Sequence, residues 1–69
     1  MSLSKKFGER IRKLRSARGL SQEELAFKAN LDRTYISDIE NGTRNVSLSV
    51  IKKLSDALEL RISEVVDGL

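Results

Sequence analysis

The stretch SQEELAFKANLDRTYISDIENG, residues 21–42, decides the fold. Ser21 and Asp32 are each followed by apolar residues at intervals of three and four, the period of a helix with one buried face. Ser and Asp are also favoured helix caps. Asn30, which tolerates a left-handed backbone, lies between the two runs. The stretch therefore predicts two short helices joined by a tight turn.

The same signals extend to both sides of this pair. Ser47 precedes another periodic apolar run, and Phe7 begins an earlier one. Arg61 stands where a cap is needed, and because Arg cannot accept a hydrogen bond from a backbone amide, the last helix is expected to fray. No run alternates as a strand does. The sequence predicts one compact all-α domain over residues 1–69, with helices at about 4–18, 22–29, 33–41, 48–58 and 62–67.

The composition of the chain limits the classes of function that it can have. The chain has 69 residues, no His and no Cys, which removes the commonest general base, the thiolate nucleophile and the usual zinc ligands. We therefore expect no enzyme activity, no metal site and no cofactor. The sequence shows neither a signal peptide nor an apolar run of the ~20 residues that a membrane span requires. We expect no membrane partner and a place in the bacterial cytosol or nucleoid.

Basic charge is concentrated in the first helix. Residues 1–20 hold seven basic residues and one acidic residue, a net charge of +6, whereas residues 21–41 carry −3. A basic segment of this kind favours sequence-independent contacts with DNA phosphates, for which Arg12 and Arg15 are the candidates. The alternative is that these residues only solvate an exposed helix face.

The central pair of helices has the features of a helix-turn-helix, with the small residue Ala26 where the two helices approach. The segments SQEELA (residues 21–26) and IENG (residues 39–42) resemble the Cro and phage-repressor, or XRE-like, family, which implies a five-helix lambda-repressor-like domain. NLDRTYIS followed by RNVSL is similar to the controller proteins of restriction-modification systems. That resemblance implies a dimeric, sequence-specific transcriptional regulator that acts at its own promoter as activator, repressor or both. The alternatives are an antitoxin, a phage-type repressor, or an adaptor that binds protein rather than DNA.

The resemblance also implies roles for individual residues on a near-palindromic double-stranded DNA operator. Arg33 suits guanine, because its guanidinium can donate to O6 and N7 together. Asp38 is expected to orient a neighbouring arginine. The expected base contacts are Arg33, Thr34 and Ser37, and the expected backbone contacts are Arg12, Arg15, Gln22, Tyr35, Thr43, Arg44 and Asn45.

Two protein partners are expected as well. The C-terminal segment is more apolar than one weak helix can bury, which predicts a homodimer through Leu60, Ile62, Val65 and Val66, unless these residues close the domain's own core. Glu23 is a candidate contact for the sigma subunit of RNA polymerase, unless it only stabilises its own helix terminus. Phe27 lies off the apolar stripe and has no assigned role.

Overall fold

The computed structural model describes residues 2–69, so of the predicted domain only Met1 lies outside it. Five helices and no strand occur in that range, which confirms the predicted all-α class. None of these helices is both long and apolar enough to cross a bilayer. Their bounds are α1 Leu3–Ala17, α2 Gln22–Ala29, α3 Arg33–Glu40, α4 Leu48–Leu58 and α5 Ile62–Val65.

The helix ends follow the local chemistry of the chain. The bounds predicted for α2 and α4 are confirmed, and α1 lies one residue earlier than predicted because Ser2 is its cap and accepts from the Lys5 amide. α3 ends one residue early, before Gly42 turns the chain with φ 76°. α5 is two residues shorter than predicted. Its first residue follows Arg61, whose side chain makes no capping hydrogen bond.

The core lies where α1, α2 and α5 pack against α3 and α4. α1 packs mainly against α3, α2 packs against both α3 and α4, and α5 closes the end of the domain against α4 and α1. Each helix contributes apolar residues at its predicted period. The buried apolar residues are Phe7, Ile11, Leu25, Ala26, Ala29, Ile36, Ile39, Val50, Leu54, Leu58 and Val65.

Gly8 sets the distance between α1 and α3. A Cβ atom at this position would overlap the carbonyl oxygen of Ile39 and would lie 2.8 Å from that of Glu40. The sequence predicts such close packing, since a glycine inside a helix costs stability unless a neighbour needs the space. The approach of α1 to the end of α3 brings the basic side chains of α1 beside the helix-turn-helix.

Candidate nucleic-acid interface

The turn between α2 and α3 is rigidly defined. Asn30 has φ 55° and ψ 46°, the left-handed conformation that the sequence predicts, and the Leu31 amide donates to the Ala26 carbonyl at 2.8 Å. At the start of α2, Ser21 accepts from the Glu24 amide while the Glu24 carboxylate accepts from the Ser21 amide. The second bond holds the pKa of Glu24 below its ordinary value. The capping box and the turn thus define the backbone at both ends of α2.

The first turn of α3 is open to solvent. Arg33 and Thr34 are exposed, and Ser37 is half-buried one turn further on. Asp32 caps the helix by accepting from the Thr34 amide at 3.1 Å. Among residues 2–69 the Arg33 guanidinium has no hydrogen-bond or ion-pair partner. The three predicted base contacts thus belong to one helix, with its arginine free to engage a ligand.

Tyr35, Asp38 and Arg44 form a second group beside that turn. The Arg44 guanidinium carbon lies 4.6 Å from the centre of the Tyr35 ring, and its Nε donates to the Asp38 carboxylate at 3.3 Å. The arginine that Asp38 contacts is therefore Arg44, from the loop after α3. A stacked and ion-paired guanidinium has fewer orientations than a free one. The group holds Arg44 over the flank of α3.

The loop after α3 is tied to the body of the domain at two points. The Thr43 hydroxyl donates to the Asp38 carbonyl at 3.1 Å, and the Ser4 hydroxyl donates to the Asn45 side-chain oxygen at 2.7 Å. Both Thr43 and Asn45 are exposed. The loop that is predicted to contact the DNA backbone is thus anchored to α3 at one end and to α1 at the other.

A buried carboxylate lies beneath this face. The Glu40 side chain, at the end of α3, is 0% exposed and forms a salt bridge with Arg15, whose Nε and Nη2 donate at 2.6 and 2.9 Å. Gln22 donates its side-chain amide to the same carboxylate at 3.1 Å, and Arg12 lies 3.4 Å from it. We call Arg12, Arg15, Gln22 and Glu40 the Glu40 cluster. It joins α1, α2 and α3.

Burial and pairing act in opposite directions on Glu40. Burial raises the pKa of its carboxyl group, but the hydrogen bonds from Arg15 and Gln22 and the charge of Arg15 outweigh that effect, so the pKa lies below its ordinary value of 4.5. The hydrogen bond to Glu40 in turn raises the pKa of Arg15. The carboxylate is therefore ionised, and the two guanidinium groups leave the cluster with a net positive charge.

The cluster changes how the two α1 arginines are understood. Arg15 is only 15% exposed in its side chain, and its Nη1 also donates to the Leu20 carbonyl at 2.8 Å. Because the side chain is mostly buried and three of its five N–H donors are engaged, we assign Arg15 a structural role instead of the predicted phosphate contact. Arg12 is 53% exposed and more loosely held, which keeps its predicted phosphate contact accessible.

Sequence reasoning missed Glu40, although a signal was present. Glu40 lies four residues after the buried Ile36, and Arg15 lies four residues after the buried Ile11. Each charged residue thus continues the core-facing stripe of its helix. Opposite charges on two inward stripes of adjacent helices predict an ion pair.

Acid should destabilise the domain through Glu40. The pKa of Glu40 is lower in the folded chain than in the unfolded one. Its contribution to folding stability is therefore complete when the pH is above the ordinary pKa of 4.5, and it is lost as the pH falls through the lower pKa of the folded chain. We expect the unfolding midpoint in denaturant to decline below about pH 4.5. In a Glu40→Gln variant the decline should be shallower, and equal slopes in the two proteins would contradict this assignment.

The C-terminal residues divide between the core and the surface. Val65 is 0% exposed and belongs to the core, so its predicted dimer contact is corrected to a core position. Leu60 and Val66 are half-buried against the same core. This agrees with the alternative given above, that these residues close the domain's own core. Ile62 is half-buried without being part of that packing. Of the predicted dimer residues, Leu60, Ile62 and Val66 retain surface that a partner can reach.

The outer side of α2 carries Glu23 and Phe27, one turn apart. Glu23 is exposed, and Glu24 rather than Glu23 makes the capping bonds. Phe27 is 87% exposed, because it lies off the apolar stripe of α2 that faces the core. Glu23, Glu24, Phe27 and Lys28 line a shallow surface depression.

A helix-turn-helix that presents an unpaired arginine in the first turn of its second helix, beside a basic first helix, has the architecture of major-groove-binding domains. A family model described as helix-turn-helix matches residues 11–65. The chain belongs to this helix-turn-helix family and, within it, to the controller proteins of restriction-modification systems.

Three similar proteins support that assignment. The control protein C.BamHI of Bacillus amyloliquefaciens is 53% identical over 62 residues, which cover 88% of this chain and 76% of that protein. The crystal structure of the restriction-modification controller protein C.AhdI from Aeromonas hydrophila has a TM-score of 0.88 at 53% identity and covers 90% of this chain and 94% of its own. C.Esp1396I bound to a 25 base pair operator site has a TM-score of 0.82 at 41% identity, with 88% and 80% covered.

Proposed function

We propose that this protein is a sequence-specific DNA-binding transcriptional regulator of the controller type, which acts in the bacterial cytosol at its own promoter. The observation that carries the proposal is the similarity in fold and sequence to C.Esp1396I, a controller protein with a structure on operator DNA. The exposed first turn of α3 supports it, because Arg33 is free to donate to a guanine. Footprinting on the DNA upstream of its own gene tests the proposal.

Base recognition is assigned to Arg33, Thr34 and Ser37. Phosphate contacts are assigned to exposed or half-buried side chains around them, with Arg44 held in place by Asp38. Because one recognition helix reads only a few base pairs, a two-fold dimer on a near-palindromic operator is part of the proposal. The phosphate contacts proposed are Arg12, Gln22, Tyr35, Thr43, Arg44 and Asn45.

Replacing Arg33 should remove specificity and leave general affinity. We expect Arg33→Ala to weaken operator binding by about 1–3 kcal/mol, while binding to random DNA of the same length changes little. Both affinities are measured at one salt concentration. Lys53→Ala, an exposed lysine on α4, is the control and should leave the ratio of the two affinities unchanged. Equal losses on operator and random DNA would place Arg33 among the phosphate contacts.

For activation, we propose that Glu23 contacts a basic surface of the polymerase sigma subunit, with the exposed Phe27 adding an apolar contact. An acidic group beside DNA is disfavoured by phosphates and attracted by a basic protein surface. We expect Glu23→Lys to abolish transcription from a dependent promoter while operator affinity is retained or raised. Transcription that survives the change at saturating operator occupancy would restrict Glu23 to a role in its own helix.

A further inference from the structure

The geometry points to Glu40 as a positioning residue for DNA binding: we propose that it fixes the side-chain amide of Gln22 for a phosphate contact. The inference rests on the proposed function, since it concerns how that function's phosphate contacts are held. Glu40 itself is buried, so its carboxylate lies out of reach of DNA. Its effect on DNA therefore passes through Gln22 and, more weakly, through Arg12.

The orientation of the Gln22 amide follows from hydrogen-bond chemistry. An ionised carboxylate only accepts hydrogen bonds, so the Gln22 amide must turn its nitrogen toward Glu40. The Nε2 to Oε1 distance is 3.1 Å. The amide nitrogen carries two hydrogens, of which this bond uses one. The other remains to donate to a phosphate oxygen, and Gln22 is half-buried, so its amide is neither hidden nor free to rotate.

Arg15 makes the carboxylate a rigid support. Its two nitrogens bind both oxygens of Glu40, at 2.6 and 2.9 Å, and such a bidentate pair fixes the plane of the carboxylate. Its third contact, to the Leu20 carbonyl at 2.8 Å, ties the guanidinium to the segment just before α2. The support and the amide that it orients thus belong to one connected structure.

Stability alone does not account for this arrangement. A buried ion pair replaced by apolar residues of similar volume is often as stable or more stable, because the charges no longer have to be removed from water. An apolar pair cannot hold an amide in one orientation. The ionic form thus supplies a property that an apolar pair does not, which is the placement of Gln22.

Arg12 gives a second reason to link the cluster with DNA. Its Nε lies 3.4 Å from Glu40 Oε1, the atom that also accepts from Gln22. Two proposed phosphate contacts from different helices, α1 and α2, therefore meet at one oxygen atom. Glu40 is the common support for both.

The test replaces the ion pair and leaves Gln22 intact. We expect the double variant Arg15→Met, Glu40→Met to fold and to lose about five- to tenfold in operator affinity, the net value of one ordinary hydrogen bond. Lys52→Met with Asp56→Met is the matched control. It removes an exposed ion pair of α4 with the same change in charge and should leave affinity unchanged. Both are compared by circular dichroism and by operator titration at one salt concentration.

Coupling to Gln22 separates positioning from a general structural effect. In the wild-type background Gln22→Ala should cost a similar five- to tenfold, about one hydrogen bond, whereas in the Met pair it should cost little. Additive losses would overturn the inference. If the Met pair does not fold, Glu40→Gln, which keeps the volume of the side chain, serves as the background for the same comparison.

The outcomes also distinguish this inference from the proposed function. If the wild-type chain binds its upstream DNA no more tightly than random DNA, the proposed function fails. If the wild-type chain binds specifically and the Met pair binds equally well, the proposed function stands and the positioning role of Glu40 is overturned.

Discussion

Val65→Asp is expected to unfold the domain rather than to release a folded monomer. The Val65 side chain is 0% exposed, in the part of the core that α5 closes against α4 and α1. A carboxylate at this point would be buried without a partner, which costs more than about 4 kcal/mol. A small domain has a total stability of about 5 kcal/mol, so the change should remove most or all of it and leave a large unfolded fraction at 25 °C. Circular dichroism at 222 nm measures the loss of helix.

Ile62→Asp is the matched control for that change. Ile62 lies on the same short helix but is only half-buried and is not packed on the core. An acidic residue in the first turn of a helix is favoured by the helix dipole. This variant should therefore stay folded, and if Ile62 belongs to the dimer interface it should sediment as a monomer with reduced operator affinity. A Val65→Asp protein that remains helical and monomeric would restore Val65 to the interface.

The fold was largely predictable because its signals are local. Ser21, Asp32 and Ser47 each accept a hydrogen bond from an amide of the helix that follows, so the caps read from the sequence are the caps in the structure. Asn30 is in the left-handed conformation at the turn. Only a few neighbouring residues decide such features, and a sequence displays neighbours directly.

Features that depend on residues distant in the sequence were harder to predict. The Glu40 cluster joins residues on three helices. The spacing from Ile36 marks Glu40 as facing inward, but which side chains meet it depends on how the helices dock. Glu59 ends α4 with φ 57°, a conformation that favours Gly or Asn, so the residue type at this position does not signal the turn. The division of the α5 residues between core and surface likewise depends on how that helix docks. The exposed face of α3 was predictable, because the apolar residues of that helix are evident in the sequence and the exposed face lies opposite them.

Arg15→Ala is expected to destabilise the domain before it affects any DNA contact. The change leaves the buried Glu40 without its bidentate partner, and removing one member of a buried ion pair costs about 3–5 kcal/mol. Arg12 and Gln22 remain, but the first is 3.4 Å away and the second is uncharged. We expect a large fall in the denaturant midpoint at pH 7, measured in the absence of DNA. A direct phosphate role would instead leave that midpoint near the wild-type value.

Arg12→Ala should have the opposite effect, with little change in stability and a loss of DNA affinity. The two arginine variants therefore serve as controls for each other. Arg12 is 53% exposed and loosely paired, so its loss should change stability by less than about 1 kcal/mol. If it contacts phosphate, its loss should lower the slope of log affinity against log salt by about one unit on operator and random DNA alike. Arg15→Ala, measured where it is still folded, should keep more of that slope. The opposite result, with a stable Arg15→Ala protein and a slope reduced by one, would show that Arg15 itself contacts phosphate when DNA is present.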